Sequence, residues 1–155
     1  MKTPPPHILL VEDNEDDIFI FRRIYRQIGC DYPMHVVRNG TDAIAYLGGT
    51  SPYADRKQYP LPKLVFLDLK LPLQPGSDVL AWLREQKELV GLPVVVLTSS
   101  AEGRDIARAR ALRADAYLVK PPKRSALRQV LSELVNPSPV SLRLRVDGDQ
   151  LDSQK

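Results

Sequence analysis

Apolar residues fall along the chain in five short runs, each followed by a stretch that can form a helix. The runs are His7-Ile8-Leu9-Leu10-Val11, Met34 to Arg38, Leu64-Val65-Phe66-Leu67-Asp68, Pro93-Val94-Val95-Val96-Leu97 and Ala116-Tyr117-Leu118-Val119. Short continuous apolar runs read as strands buried on both faces of a parallel sheet. After the first run, Asn14 is placed to cap a helix, and Glu15, Asp16 and Asp17 occupy the first turn, where acids suit the helix dipole. Ile18, Phe21, Ile24, Tyr25 and Ile28 recur at helical spacing until Gly29 ends the element. Asn39-Gly40 makes a turn, Thr41 can cap a helix from Asp42 to Leu47, and Gly48-Gly49 closes it. Past the turn at Pro75-Gly76, Val79, Leu80, Trp82 and Leu83 give a helix with one apolar face. A further helix is expected from about Glu102 to Arg113, its apolar side mostly Ala with Ile106 and Leu112. Leu127, Val130, Leu131 and Leu134 mark the last.

Five repeats of strand then helix predict an α/β fold: a doubly wound (βα)5 sandwich, with a parallel five-stranded sheet and helices on both faces. The order 2-1-3-4-5 is a natural solution with right-handed connections. Two stretches stand outside the repeat. Residues 48–63 are a long polar connection, a length that is uncommon in a compact domain and usually functional or disordered. After the helix stop at Asn136-Pro137-Ser138-Pro139, Val140, Leu142, Leu144 and Val146 alternate with polar residues, the period of a strand. A lone strand must pair with something, so residues 140–146 are expected to pack on a partner subunit in a homodimer. The expected organisation is a flexible start at 1–6, a domain at 7–135 and a tail at 136–155, too short for a DNA-binding output domain.

Composition narrows the class. The 155 residues suffice for one domain with a sizeable core. The N-terminus carries Pro4, Pro5 and Pro6 and no apolar segment of the secretory kind, and no run is long enough to span a membrane. The single Cys30 has no internal disulfide partner, which fits a reducing cytoplasm. A net charge of +3 is too mild to argue for nucleic acid without a recognition motif. Arg104, Arg108, Arg110 and Arg113 lie along the helix near 104–113, as a partner-binding face or an ordinary solvated one.

The strand ends carry the chemistry. Open α/β sheets bind ligands at the carboxyl ends of their strands. That edge receives Glu12 and Asp13 from the first strand, Asp68 from the third, Thr98 from the fourth and Lys120 from the fifth. Each alone has an ordinary reading: a cap, a turn former, a surface charge. Their convergence on one edge points to a site. Crowded carboxylates repel; two unit charges about 4 Å apart interact by roughly 4 kcal/mol at an effective dielectric of about 20. A hard divalent cation relieves this, and an oxygen-only donor set suits Mg2+. Mg2+ also favours phosphate oxygens, so the site is one for a phosphoryl group. A carboxylate such as Asp68 can act as nucleophile and form an aspartyl-phosphate. Lys120 would supply a positive charge, and the Thr98 hydroxyl and Ser99 backbone amide hydrogen bonds, to the phosphoryl oxygens.

This constellation closely resembles the receiver domain of two-component response regulators. The matching pieces are Leu9-Leu10-Val11-Glu12-Asp13-Asn14, Phe66-Leu67-Asp68 with Leu71-Pro72 and Gly76, Val96-Leu97-Thr98-Ser99, and Tyr117-Leu118-Val119-Lys120-Pro121. The resemblance covers about residues 7–135 and implies the flavodoxin-like, CheY-like fold. It implies that Asp68 accepts phosphate from a sensor histidine kinase. It also implies that Glu12, Asp13, Asp68 and the Lys70 backbone carbonyl hold Mg2+, and that Thr98 and Tyr117 are the switch pair that remodels the partner-binding face. The Lys120-Pro121 peptide is typically cis in the family. Glu12 departs from the Asp that many members carry. The connection at 48–63, with Tyr53-Ala54, resembles single-domain regulators that work with phytochrome-type light-sensing kinases. The resemblance implies a cytoplasmic signalling protein rather than an enzyme. The alternative is a phosphatase-type enzyme that forms an aspartyl-phosphate; such enzymes carry a second acid two residues after the nucleophile, where this chain has Lys70.

Overall fold

The computed structural model describes residues 5–99 and 103–135, with the side chains of the second segment from residue 107. The strands are β1 (Ile8–Val11), β2 (Met34–Val37), β3 (Leu64–Asp68), β4 (Val94–Thr98) and β5 (Ala116–Val119). The helices are α1 (Glu15–Gln27), α2 (Gly40–Gly48), α3 (Gly76–Glu85), α4 (Gly103–Ala111) and α5 (Arg124–Val135). All pairings are parallel and the order is β2-β1-β3-β4-β5, as the repeat predicts.

The continuous apolar strands are explained by two cores, one on each face of the sheet. Leu9, Val11, Val65, Leu67, Val94 and Val96 meet α2 and α3 through Tyr46, Leu47, Val79, Leu80 and Leu83. The alternate residues Ile8, Leu10, Phe66, Val95, Leu97 and Leu118 meet α1 and α5 through Ile18, Phe21, Leu127, Val130 and Leu131. Successive side chains of a strand point to opposite faces, so a strand covered on both sides has no polar position until it ends. Where it ends, the polar residues begin, and they begin together because the strands are in register: Asp68 lies beside Leu97 and Thr98 beside Val119.

Two local expectations change. The α2 cap is Asn39, not Thr41: Asn39 Oδ1 accepts from the Asp42 backbone N–H at 2.7 Å, and the helix begins at Gly40, so Thr41 already lies in its first turn. The stretch at 48–63 is packed rather than loose. Tyr53 and Tyr59 contact each other and Tyr46, with ring centroids 5.0 to 5.9 Å apart. Arg56 donates to the carbonyls of Tyr46, Tyr59 and Leu47 at 2.8 to 3.2 Å, filling acceptors that the end of α2 leaves open. Of the arginines on and after α4, Arg108 reaches Ser77 on α3 at 3.2 Å and Arg110 reaches the Tyr117 hydroxyl at 2.6 Å, while both stay exposed, as does Arg113. The expected strand at 140–146 lies outside the described residues.

Candidate functional site

The site forms at the carboxyl edge of β1, β3, β4 and β5. Glu12 and Asp13 leave β1 where α1 starts, and Asn14 fixes that exit: its Oδ1 accepts from the Asp17 backbone N–H at 2.9 Å, while its own N–H donates to Glu12 Oε2 at 3.2 Å. Asp68 is the last residue of β3. Behind it the chain turns back so closely that Gly76 N–H donates to the Leu69 carbonyl at 3.0 Å. A Cβ at Gly76 would collide with the Asp68 carbonyl, which is why glycine stands there. The Lys70 backbone N–H donates to Asp68 Oδ1 at 3.0 Å and aims that carboxylate.

One carboxylate oxygen from each of Glu12, Asp13 and Asp68 lies within 4.8 Å of the others. Glu12 is 1% exposed and Asp68 4%, whereas Asp13 faces solvent. This oxygen-only cluster, open on the Asp13 side, fits a hard divalent cation. Lys120, following β5, brings its Nζ within 2.8 Å of Glu12 Oε1, 2.8 Å of Asp17 Oδ2 and 3.3 Å of Asp68 Oδ2. The Lys120 N–H donates to the Thr98 carbonyl at 2.7 Å, which locks the two residues to the same edge. The Thr98 side chain is buried, and Ser99 follows it, exposed. The Lys120-Pro121 peptide is cis.

The electrostatics match a site short of positive charge. Burial pushes the Glu12 carboxyl up to about 7; the Lys120 hydrogen bond and the Asn14 N–H oppose the rise, and the Asp68 charge adds to it. Burial works against the Lys120 ammonium, but hydrogen bonds to Asp17 and Glu12 and the Asp68 charge outweigh it and hold its pKa above the ordinary lysine range.

The structure brings Glu12, Asp13, Asp68, Thr98 and Lys120 to one edge. Tyr117 sits apart from the acids, buried on β5, where Arg110 donates to its hydroxyl and lies 5.8 Å from the ring centre. At Lys70 the visible contact is its backbone N–H on Asp68. Two residues escaped the sequence reading. Asp17 reads as an acid at a helix start, yet it stands one turn after Asp13 on the helix that begins at the site, and that spacing was the available signal. Arg110 as partner of Tyr117 had no signal beyond its place in an arginine-rich helix.

Comparison with known proteins agrees with this geometry. Residues 8–132 match the model of the response regulator receiver domain. Response regulator Rcp1 of Synechocystis is 35% identical over 117 residues, covering 76% of this chain and 78% of that one. The structure of its Mn2+-bound form aligns with a TM-score of 0.73 at 30% identity, over 86% of this chain and 97% of that one. The phosphorylated cyanobacterial phytochrome response regulator RcpA aligns with a TM-score of 0.74 at 31% identity, covering 87% and 97%. A response regulator in red light signaling of R. palustris gives 0.79 at 28% identity, covering 86% and 96%. These likenesses do not favour the phosphatase-type alternative. Among the described residues no helix is long and apolar enough to cross a membrane. With the doubly wound sheet, the acid cluster at its carboxyl edge and the matching family model together, the chain belongs to the response regulator receiver domain family.

Proposed function

We propose that Asp68 is the phosphoacceptor of a signalling switch and that it is charged by a sensor histidine kinase. The observation that carries this reading is the lone buried Asp68 at the end of β3, with two acids within reach of a shared cation and Lys120 Nζ at 3.3 Å. An Asp68 carboxylate oxygen attacks phosphorus, the P–N bond of a phosphohistidine breaks as the O–P bond forms, and the electron pair leaves with the imidazole. Glu12, Asp13, Asp68 and the Lys70 carbonyl are the proposed cation ligands. When bound, Mg2+ supplies charge neutralisation and a template for the phosphoryl oxygens. Lys120, the Thr98 hydroxyl and the Ser99 amide then meet the oxygens of the new phosphoryl group, work that is mostly positioning and charge compensation. Thr98 and Tyr117 carry the change toward α4 and β5. The test is intact-mass analysis after incubation with a small phosphodonor and Mg2+: one added phosphoryl group is expected, and none in Asp68→Asn. Equal labelling of the substituted chain overturns the assignment.

The partner is read as a phytochrome-type histidine kinase in the cytoplasm. Two observations support this: the likeness to phytochrome response regulators, and the ordered Tyr53–Tyr59 connection beside α2. Faster phosphotransfer from a phytochrome-type kinase than from a kinase of another sensory class is expected; equal rates remove the link. The proposed receiver spans residues 7–135. The tail is the proposed dimer contact, and an unchanged dimer fraction in a chain ending at Asn136 would remove it.

A further inference from the structure

Lys120 is held by three carboxylates, but only two of them belong to the acid cluster. Glu12 and Asp68 are members of the cation-sized group, and Asp17 is not. Asp17 nonetheless makes one of the two shortest contacts to the ammonium, 2.8 Å against 3.3 Å for Asp68. Its side chain is 34% exposed and sits on the first turn of α1, whereas the Lys120 side chain is 14% exposed. A divalent cation and the Lys120 ammonium therefore call on the same two carboxylates, Glu12 and Asp68. If the cation takes them, a largely buried ammonium loses two partners at once, and burying an unpaired charge is strongly unfavourable. The carboxylate that remains for it is Asp17.

We propose that Asp17 is a positioning residue that retains the Lys120 ammonium when a divalent cation occupies Glu12, Asp13 and Asp68. The inference rests on the reading of that cluster as the cation site. Asp17 touches neither the cation ligands' shared centre nor the phosphoryl group; it acts through Lys120. It removes the competition between lysine and cation, and it leaves Nζ beside Asp68, where the phosphoryl oxygens arrive. Without it, Lys120 falls back on Glu12 and Asp68 and competes with the incoming cation.

A double-mutant cycle on the full chain, read by calorimetric titration with Mg2+ alone, tests this. Asp17→Asn is expected to weaken Mg2+ binding about fivefold, the scale of one partly exposed ion pair. Asp17→Glu, which keeps the charge on a longer arm, is expected to restore most of the affinity. In a Lys120→Met background Asp17→Asn is expected to change nothing, because the group it acts through is gone. An equal loss in both backgrounds would show that Asp17 contributes only its general negative field and would overturn the proposal, as would no loss in either. Failure of the underlying reading looks different: the unsubstituted chain would then bind no Mg2+, or bind it as well in Asp68→Asn.

Discussion

The molecule buries a cation at each end of its sheet, and the two are treated differently. At the amino end, Arg84 of α3 is 8% exposed and donates to the carbonyls of Val90, Leu92 and Arg113 and to Asp115 Oδ2, at 2.7 to 3.1 Å. Asp115 Oδ2 also accepts from the Val94 N–H at 2.8 Å, so one cation and one carboxylate join α3, β4 and the entry to β5. Charge there is balanced one to one. At the carboxyl end, among the described residues, Lys120 alone faces Glu12, Asp17 and Asp68, with Asp13 at the rim. The first cluster is balanced in charge, with only the buried Arg84 Nε left without a partner among its donors, and serves packing. The second carries more negative than positive charge among the described residues, a standing cost to the fold that, in the proposed function, a divalent cation and then a phosphoryl group would convert into binding.

The sharpest way to break the comparison is Arg84→Met. Removing that guanidinium strands the Asp115 carboxylate and three carbonyls, and should lower unfolding stability by about 2–4 kcal/mol, with or without Mg2+. Denaturant titration in both conditions measures it, and a Mg2+-dependent loss would mean that the two ends are not independent.

Next is the pH dependence contributed by Glu12. Its carboxyl is raised from 4.5 in the unfolded chain to about 7 in the fold, so the native state holds the proton more tightly. Stability from this group is fully present below 4.5 and is lost as pH rises through about 7. Without divalent cation, stability should decline across that window, and Glu12→Gln should flatten the decline. An unchanged slope in the variant would assign it to other groups.

Asp13→Asn, at the exposed rim, should raise the stability of the cation-free protein slightly, by up to about 1 kcal/mol, the scale of two like charges 4 Å apart in water. The same change should abolish most Mg2+ binding. A substitution that destabilises the cation-free chain would argue that the acids are mutually satisfied.

The smallest effect lies away from both ends. His35 on β2 stacks with His7, ring centroids 5.4 Å apart, and lies against Tyr46 and Tyr59. Burial lowers its pKa below 6.5, and the adjacent His7 adds to this. The fold favours the neutral ring, so stability should fall as pH drops below 6.5, and His35→Gln should remove that part of the acid slope. Thermal melts between pH 7 and pH 5 measure it.

How much of this could be read from residues alone follows from what each feature depends on. The five strands, their order and the acids at their ends were legible because a strand covered on both faces has a continuous apolar signature, and because register then places Asp68 and Thr98 at one edge. The Arg84–Asp115 cluster was not legible: the two residues are 31 positions apart, and most of the arginine's partners are backbone carbonyls, which no side-chain pattern announces. The connection at 48–63 looked polar because Arg56, Tyr53 and Tyr59 are polar by type; their half-buried contacts with α2 depend on tertiary packing. Thr41 lost the cap to Asn39 because both are good caps and only the start of the helix decides between them. Asp17 was seen as a helix-dipole acid, since its partner lies 103 residues away.

The central claim, that the carboxyl edge is held short of positive charge so that it can take up a cation and then a phosphoryl group, is tested most directly by the unfolding free energy of the unsubstituted chain in Mg2+ and in chelator at pH 8. A clear rise in stability with Mg2+ is expected, one that saturates, follows the binding relation RT ln(1 + [L]/Kd), and is lost in Asp68→Asn. Identical stability in Mg2+ and in chelator would contradict it.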